Sequence, residues 1–342
     1  MTTSRPRSAA RRWVPTRPVA PRSSHRISFP LVISHLYSRL VIGAGRAALP
    51  GRSLPLLSLL LFVASAAFTV WRNTQVAVLV DISYILNIAT RIAAGDVPYA
   101  QFPLAQAPLT FLTQAVLIKL FGPHFFVQIA YAAIAGGLAT VLTYVIARRL
   151  VAGVVARPDA LAAVLAIPLV PLGIYAILPN PFYDPDGCLV ILAAVAAILA
   201  AKDRQTRTRW LVAGALISVP VFIKQNIGGA FLILAVAALV ADAFARPAAR
   251  AGLRWCLTGL AVALGLELLA LQLIVGIDQY LAWAWTFALA GRGVTLERVA
   301  SFADPSVVWL GLLILGLALV TLRLAPRLRA PVFLVVLCVA LL

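Results

Sequence analysis

Asp81 stands where a carboxylate is costly, directly after an apolar run and at the head of a polar, helix-forming stretch that continues to Gly122. Such a group can cap a helix through its oxygens or take a proton. The chain has only 11 acidic residues among 342, against 29 Lys and Arg, so each acid calls for a reason. Asp184 and Asp186 share the turn sequence PNPFYDPDG at 179–187, and Lys224 ends a short apolar run in FIKQNIGG at 222–229. Arg91 adds a second cation to the stretch that Asp81 opens. Each has a plainer reading as well. Asp81 can serve as an N-cap alone, the two Asp-Pro aspartates can cap the next helix, and Lys224 can reach to headgroups from a span end.

What must position these residues is a membrane bundle. Hydrophobic residues make up 62% of the chain and the mean hydropathy is +0.98. Several apolar runs approach the roughly 20 residues needed to cross a hydrocarbon core. The expected fold is all-α and polytopic, with spans at about 54–71, 124–147, 159–179, 188–201, 210–223, 228–244, 255–276, 306–322 and 330–342. Residues 108–122 are short for a span and read as an interfacial or re-entrant helix. The last run ends at Leu342 short of a full crossing, which leaves open that the chain is part of a longer protein.

The net charge of +18 does not point to nucleic acid, because the arginines fall between apolar runs and in one tail, as the positive-inside bias places them. With the tail cytoplasmic, Arg148 and Arg149, the run from Lys202 to Arg209, the cluster from Arg246 to Arg254 and Arg323 to Arg329 all fall inside. The outer face then collects Asp81, Asp96, Asp184, Asp186, Asp278, Glu297 and Asp304. The expected setting is a multi-pass protein of the cytoplasmic membrane with its site on the outer face. Residues 1–53 carry ten Arg and no acid and read as a disordered basic cytoplasmic tail, with 54–342 as the membrane domain. Within the tail, 27–42 has an apolar helical face suited to lying on an anionic leaflet.

The first outer loop has its own pattern. At 100° per residue, Ile82, Ile85, Leu86, Ala89, Ile92 and Ala93 share one arc, and Ser83, Asn87, Thr90 and Arg91 another. This predicts a helix lying flat on the leaflet, ended by Gly95 and capped by Asp81.

The continuation through Gly95, Pro98, Tyr99, Pro108, Leu109, Phe121 and Gly122 resembles the polytopic glycosyltransferases of the GT-C fold class, together with Asp81 and Tyr84 before it. That family includes protein O-mannosyltransferases and lipid A aminoarabinose transferases. Its first outer loop opens with an acid, runs through an interfacial helix, and carries G-x-P-Y-like, P-P-L-like and L-F-G-like steps. Asp186, with Asp184 beside it, is similar to the family's outer acid heading a span, and Lys224 to its lysine ending a short run. The resemblance covers residues 54 to about 235. It implies transfer of a sugar from a polyprenyl-phosphate carrier to a lipid, glycan or protein acceptor.

Inversion at an anomeric carbon with a phosphate leaving group needs one base and no acid, since phosphate departs as a stabilised anion. On this resemblance Asp81 is the base and Lys224 or Arg91 neutralises the lipid phosphate. Tyr84, Tyr99, Asp184 and Asp186 contribute to substrate binding. Three departures matter: Ile82 follows Asp81 where relatives place a second acid, Gln106 stands for a lysine, and Ala107 for the first proline of a pair. They remove the basis for a divalent metal on paired acids, and no cofactor is expected.

Other residues carry less. His25, His35 and His124 form no metal-like cluster, and Cys188, Cys256 and Cys338 have no ligand spacing. Glu267 lies deep in a span and must be protonated, paired or facing a polar interior. Asp242 suits Arg246, and Trp283 and Trp285 suit interfacial anchoring. The competing class is a secondary transporter or flippase, which would use broken helices and intramembrane charge. A non-catalytic scaffold would leave the acidic outer loops unexplained.

Overall fold

The computed structural model describes residues 53–75, 79–152 and 155–287. The basic tail, the interfacial stretch at 27–42, Cys338, Glu297, Asp304 and the spans expected at 306–322 and 330–342 lie outside the described residues. Among the described residues every regular element is a helix.

Among the described residues six helical stretches are long and apolar enough to cross a membrane: Pro55–Gln75, Phe125–Val151, Pro158–Ile177, Tyr183–Arg204, Gln225–Ala245 and Pro247–Ile274. The expected span at 210–223 is a helix over Arg207–Ser218, continued by a 3₁₀ turn over Val219–Phe222. It is short, yet it runs the length of the bundle. Its start follows Arg204 at one end of the Tyr183–Arg204 helix, and its far end delivers Lys224 to Asp184 at the other. The span expected at 188–201 is longer than its apolar run, because Tyr183, Asp184 and Asp186 belong to its first turn. Asp184 and Asp186 can belong to it because their carboxylates find partners inside the fold.

The third span is broken. Pro168 and Gly173 divide it into Pro158–Ala166, Leu169–Leu172 and Ile174–Ile177. Proline removes a helix donor and crowds the preceding turn, so a break is its ordinary effect. Elsewhere small residues bring helices together. A Cβ on Gly214 would meet the Cys256 carbonyl oxygen at 1.9 Å, and one on Gly259 the Leu211 oxygen at 2.1 Å. The Arg207–Ser218 and Arg250–Ile274 helices therefore touch backbone to backbone, in parallel. Ser65 and Thr140 tie the first two spans, with 2.9 Å between their hydroxyl oxygens. The bundle leaves large apolar side chains such as Leu60, Ile233, Leu234, Leu266 and Leu273 exposed, as hydrocarbon surroundings allow.

Charge separates along the bundle. One end holds the pairs Arg148–Asp159, Arg149–Asp203, Lys202–Asp242 and Arg246–Asp242. The opposite end holds Asp184, Asp186 and Lys224, and onto it fold two short helices, Leu79–Ala94 and Leu109–Phe121. The first is amphipathic as expected, with Ile82, Ile85 and Ala89 buried and Ser83, Asn87 and Thr90 exposed. Its start needs a correction: the helix begins at Leu79, so Asp81 sits within the first turn and is not the N-cap. An acid there still meets the positive end of the helix dipole.

Candidate functional site

The loop between the two short helices is built on one residue in an unusual conformation. Gly95 ends the first helix at φ 112°, which glycine accepts freely. Tyr99 has φ 66°, a left-handed value that costs a bulky residue energy unless its surroundings enforce it. They do. Its N–H donates to the Phe102 carbonyl at 2.9 Å, its hydroxyl donates to the Gln106 carbonyl at 2.6 Å, and its ring meets Tyr280 edge-on with centroids 5.3 Å apart. Ile85, Ile88, Tyr99, Phe102, Leu104 and Phe111 join Phe222, Leu271 and Tyr280 in one buried cluster. Apolar packing thus seats the loop on the bundle end.

Tyr84 and Tyr99 converge. The Tyr84 hydroxyl donates to Gln106 Oε1 at 2.6 Å, and the Tyr84 ring packs edge-on against Phe111. Burial, then the neighbouring Tyr183, pushes the Tyr84 phenol up to about 12. Burial raises Tyr99 further, with Tyr280 and Tyr84 adding to it, and burial raises Tyr280 as well. These phenols stay protonated at neutral pH and act as donors.

Gln225, which sequence reasoning passed over, anchors the loop. Its Nε2 donates to the Ala105 carbonyl at 3.1 Å and to the Ala284 carbonyl at 2.8 Å, and its Oε1 accepts from the Ala107 N–H at 3.2 Å. Next to it, Lys224 forms an ion pair with Asp184, and its ammonium lies 5.4 Å from the centre of the Tyr183 ring. Both partners are about a quarter exposed, at 24% and 27%. A partly exposed Lys-Asp pair beside an aromatic face can exchange its internal contact for an incoming anion and hydroxyl group.

Arg91 belongs to the loop. Its Nε bonds Asp96 Oδ2 at 2.8 Å and its guanidinium lies 4.2 Å from the Phe102 ring centre. Asp186 is separate in character: it is 4% exposed and both carboxylate oxygens are engaged. Thr110 donates at 2.7 Å, Tyr131 at 3.0 Å, and Tyr175 donates as well. Asp184 and Asp186 lie in the first turn of their helix, whose N-cap position is Phe182 with no side-chain cap bond, so neither is the turn cap that the sequence allowed.

The structure therefore brings Tyr84 and Tyr99 together on Gln106, and Lys224 with Asp184. Arg91 sits in the loop beyond them, and Asp186 lies beneath in a cage of its own. Asp81 is placed by its backbone in the first turn of Leu79–Ala94. Polar residues on apolar helices were the one available signal for that cage, since Thr110 with Gln114 and Gln128 with Tyr131 keep helical spacing. No group of three or more His, Cys, Asp or Glu suited to a metal occurs among the described residues. Asp242 pairs with Arg246 as expected and also with Lys202. Glu267 is partly buried, with one carboxyl oxygen unpartnered among the described residues.

Fold and site together define an all-α polytopic membrane protein with a structured loop closing one end of its bundle. Compared with family models, with curated proteins and with solved structures, the chain matches none.

Proposed function

We propose that this protein is a membrane glycosyltransferase of the GT-C type, moving a sugar from a polyprenyl-phosphate carrier to an acceptor. The observation that carries the proposal is the loop of residues 79–121. It folds back over the bundle end that holds Lys224 and Asp184, and the tyrosines of the family-like motifs, Tyr84 and Tyr99, are its internal ties.

In this reading an acceptor hydroxyl attacks the anomeric carbon as Asp81 takes its proton. The bond from that carbon to the phosphate oxygen breaks, and the polyprenyl phosphate leaves with the electron pair. Lys224 and Arg91 offset its charge by loosening their hold on Asp184 and Asp96. Asp184, freed of its lysine, accepts hydroxyl hydrogen bonds from the substrate. The loop end faces outward and the arginine-rich end faces the cytoplasm of a cell bounded by this inner membrane, following the positive-inside bias.

The test supplies membranes containing the protein with a panel of labelled polyprenyl-phosphate sugars and follows label into lipid, glycan or protein. Transfer above control membranes supports the reading, and no transfer from any donor removes it.

One observation favours a second class, a secondary transporter or flippase. The span Pro158–Ile177 is interrupted at Pro168 and Gly173, and Glu267 places a carboxyl group within another span. Uptake of labelled substrate into sealed vesicles, without any change to the substrate, would select that class.

A further inference from the structure

The Asp186 cage has a feature that substrate binding does not use. A buried carboxylate at the end of a membrane bundle is normally offset by a cation of the protein. Asp186 is in none of the ion pairs among the described residues, where Lys224 instead holds Asp184. All three of its hydrogen-bond partners, Thr110, Tyr131 and Tyr175, are hydroxyls that donate to it. Three hydroxyls can solvate the ionised carboxylate, but none supplies a positive charge. The cage can therefore hold an anion whose charge no cation among the described residues offsets.

Two amides on the same helices lack a partner. Gln114 is 0% exposed and Gln128 is 1% exposed, and neither the amide oxygen nor the nitrogen of either has a hydrogen-bond partner among the described residues. Asn180, 3% exposed, is in the same condition. Gln114 is four residues from Thr110 on one helix, and Gln128 three from Tyr131 on another, so each lies on the helix face that touches Asp186. An unpartnered buried amide costs about 1–3 kcal/mol, so two of them on the helix faces that carry Thr110 and Tyr131 point to a group that the described residues do not supply.

We propose that Asp186, with the carbonyl oxygens of Gln114 and Gln128 and the hydroxyls of Thr110, Tyr131 and Tyr175, forms a buried site for one small monovalent cation of the Na⁺ class. One carboxylate among neutral oxygens matches a single positive charge, and an all-oxygen donor set selects a hard cation. Binding there joins the Leu109–Phe121 helix of the loop to the Phe125–Val151 and Tyr183–Arg204 spans. The site is thus a cation-dependent clamp on the loop, independent of what the loop binds.

The experiment uses the full chain purified in detergent, with NaCl exchanged for N-methylglucamine chloride at constant ionic strength. Sodium should raise the melting temperature by several degrees, and radioactive ²²Na⁺ should bind saturably at about one per chain. Asp186→Asn should abolish both effects. To keep loss of folding apart from loss of the site, Gln114→Leu and Gln128→Leu are tested beside it, and each should weaken ²²Na⁺ binding at least tenfold. Absence of saturable binding to the parent protein overturns the proposal and leaves water as the occupant. Full sodium binding by a folded Asp186→Asn protein, or by both glutamine variants, equally overturns it.

Discussion

The hydroxyls of Tyr84 and Tyr99 both donate to Gln106, one to its side-chain oxygen and one to its backbone carbonyl, each at 2.6 Å. Gln106 is the point at which the amphipathic helix and the returning segment of the loop are joined. Its task is structural, holding two protonated phenols in place.

On the proposed transferase reading, substitution of Asp81 separates catalysis from helix stability. Because it lies in the first turn, Asp81→Asn should lose no more than about 0.3–1 kcal/mol of dipole interaction. Sugar transfer should fall by about 10²- to 10⁴-fold, the usual contribution of a general base, with carrier-lipid binding retained. Transfer within a few-fold of the parent, measured on protein of normal melting temperature, would remove Asp81 from the mechanism.

Gln225→Leu should free the loop. It leaves the Ala105 and Ala284 carbonyls and the Ala107 N–H without their partner, at about 1–3 kcal/mol for each group that water cannot reach. Hydrogen exchange of residues 95–108 should speed up strongly while the Phe125–Val151 helix is unchanged. Unaltered exchange in the loop would show that apolar packing alone seats it.

Two glycines on one helix should behave oppositely. Gly259→Ala drives a methyl group to 2.1 Å from the Leu211 oxygen and should destabilise the protein by about 1–3 kcal/mol or more. Gly265→Ala meets nothing within 4 Å and should add about 0.5–1 kcal/mol by helix propensity. Thermal melting of both variants decides this, and equal melting temperatures would contradict the backbone contact.

The two ends of the bundle can be told apart by labelling. Single cysteines are placed at Ala100 and Asn226 on the loop end and at Thr206 and Arg250 on the arginine end, all exposed positions. An impermeant reagent added outside intact cells should reach the first pair and spare the second. Labelling of Thr206→Cys from outside would invert the proposed orientation.

Alkaline pH should loosen the tie at Gln106. The Tyr84 phenol is raised from 10.0 to about 12, so its contribution is fully present below pH 10 and is lost as pH rises toward 12. Tyr84→Phe should flatten the stability curve over that interval. A parent and variant with parallel curves would show that the phenol is not held as a donor.

Local physics wrote much of this protein into its sequence. The cost of burying polar backbone in hydrocarbon makes apolar length a direct signal, so the six long spans, the short seventh passage and the segregation of arginines were legible. Helical periodicity likewise revealed the buried face of Leu79–Ala94, while the helix starts three residues before the Ile82 that an Asp81 cap implies, because no polar side chain marks its start. What only the tertiary structure decided are pairings between distant segments. Gln225 meets Ala105 and Ala107 across 120 and 118 residues, and Asp186 meets Thr110 and Tyr131 across 76 and 55. A sequence shows that a carboxylate must find a partner in the membrane. Which partner it finds depends on how the helices pack, and for Lys224 the answer was Asp184 and not its neighbour two residues on.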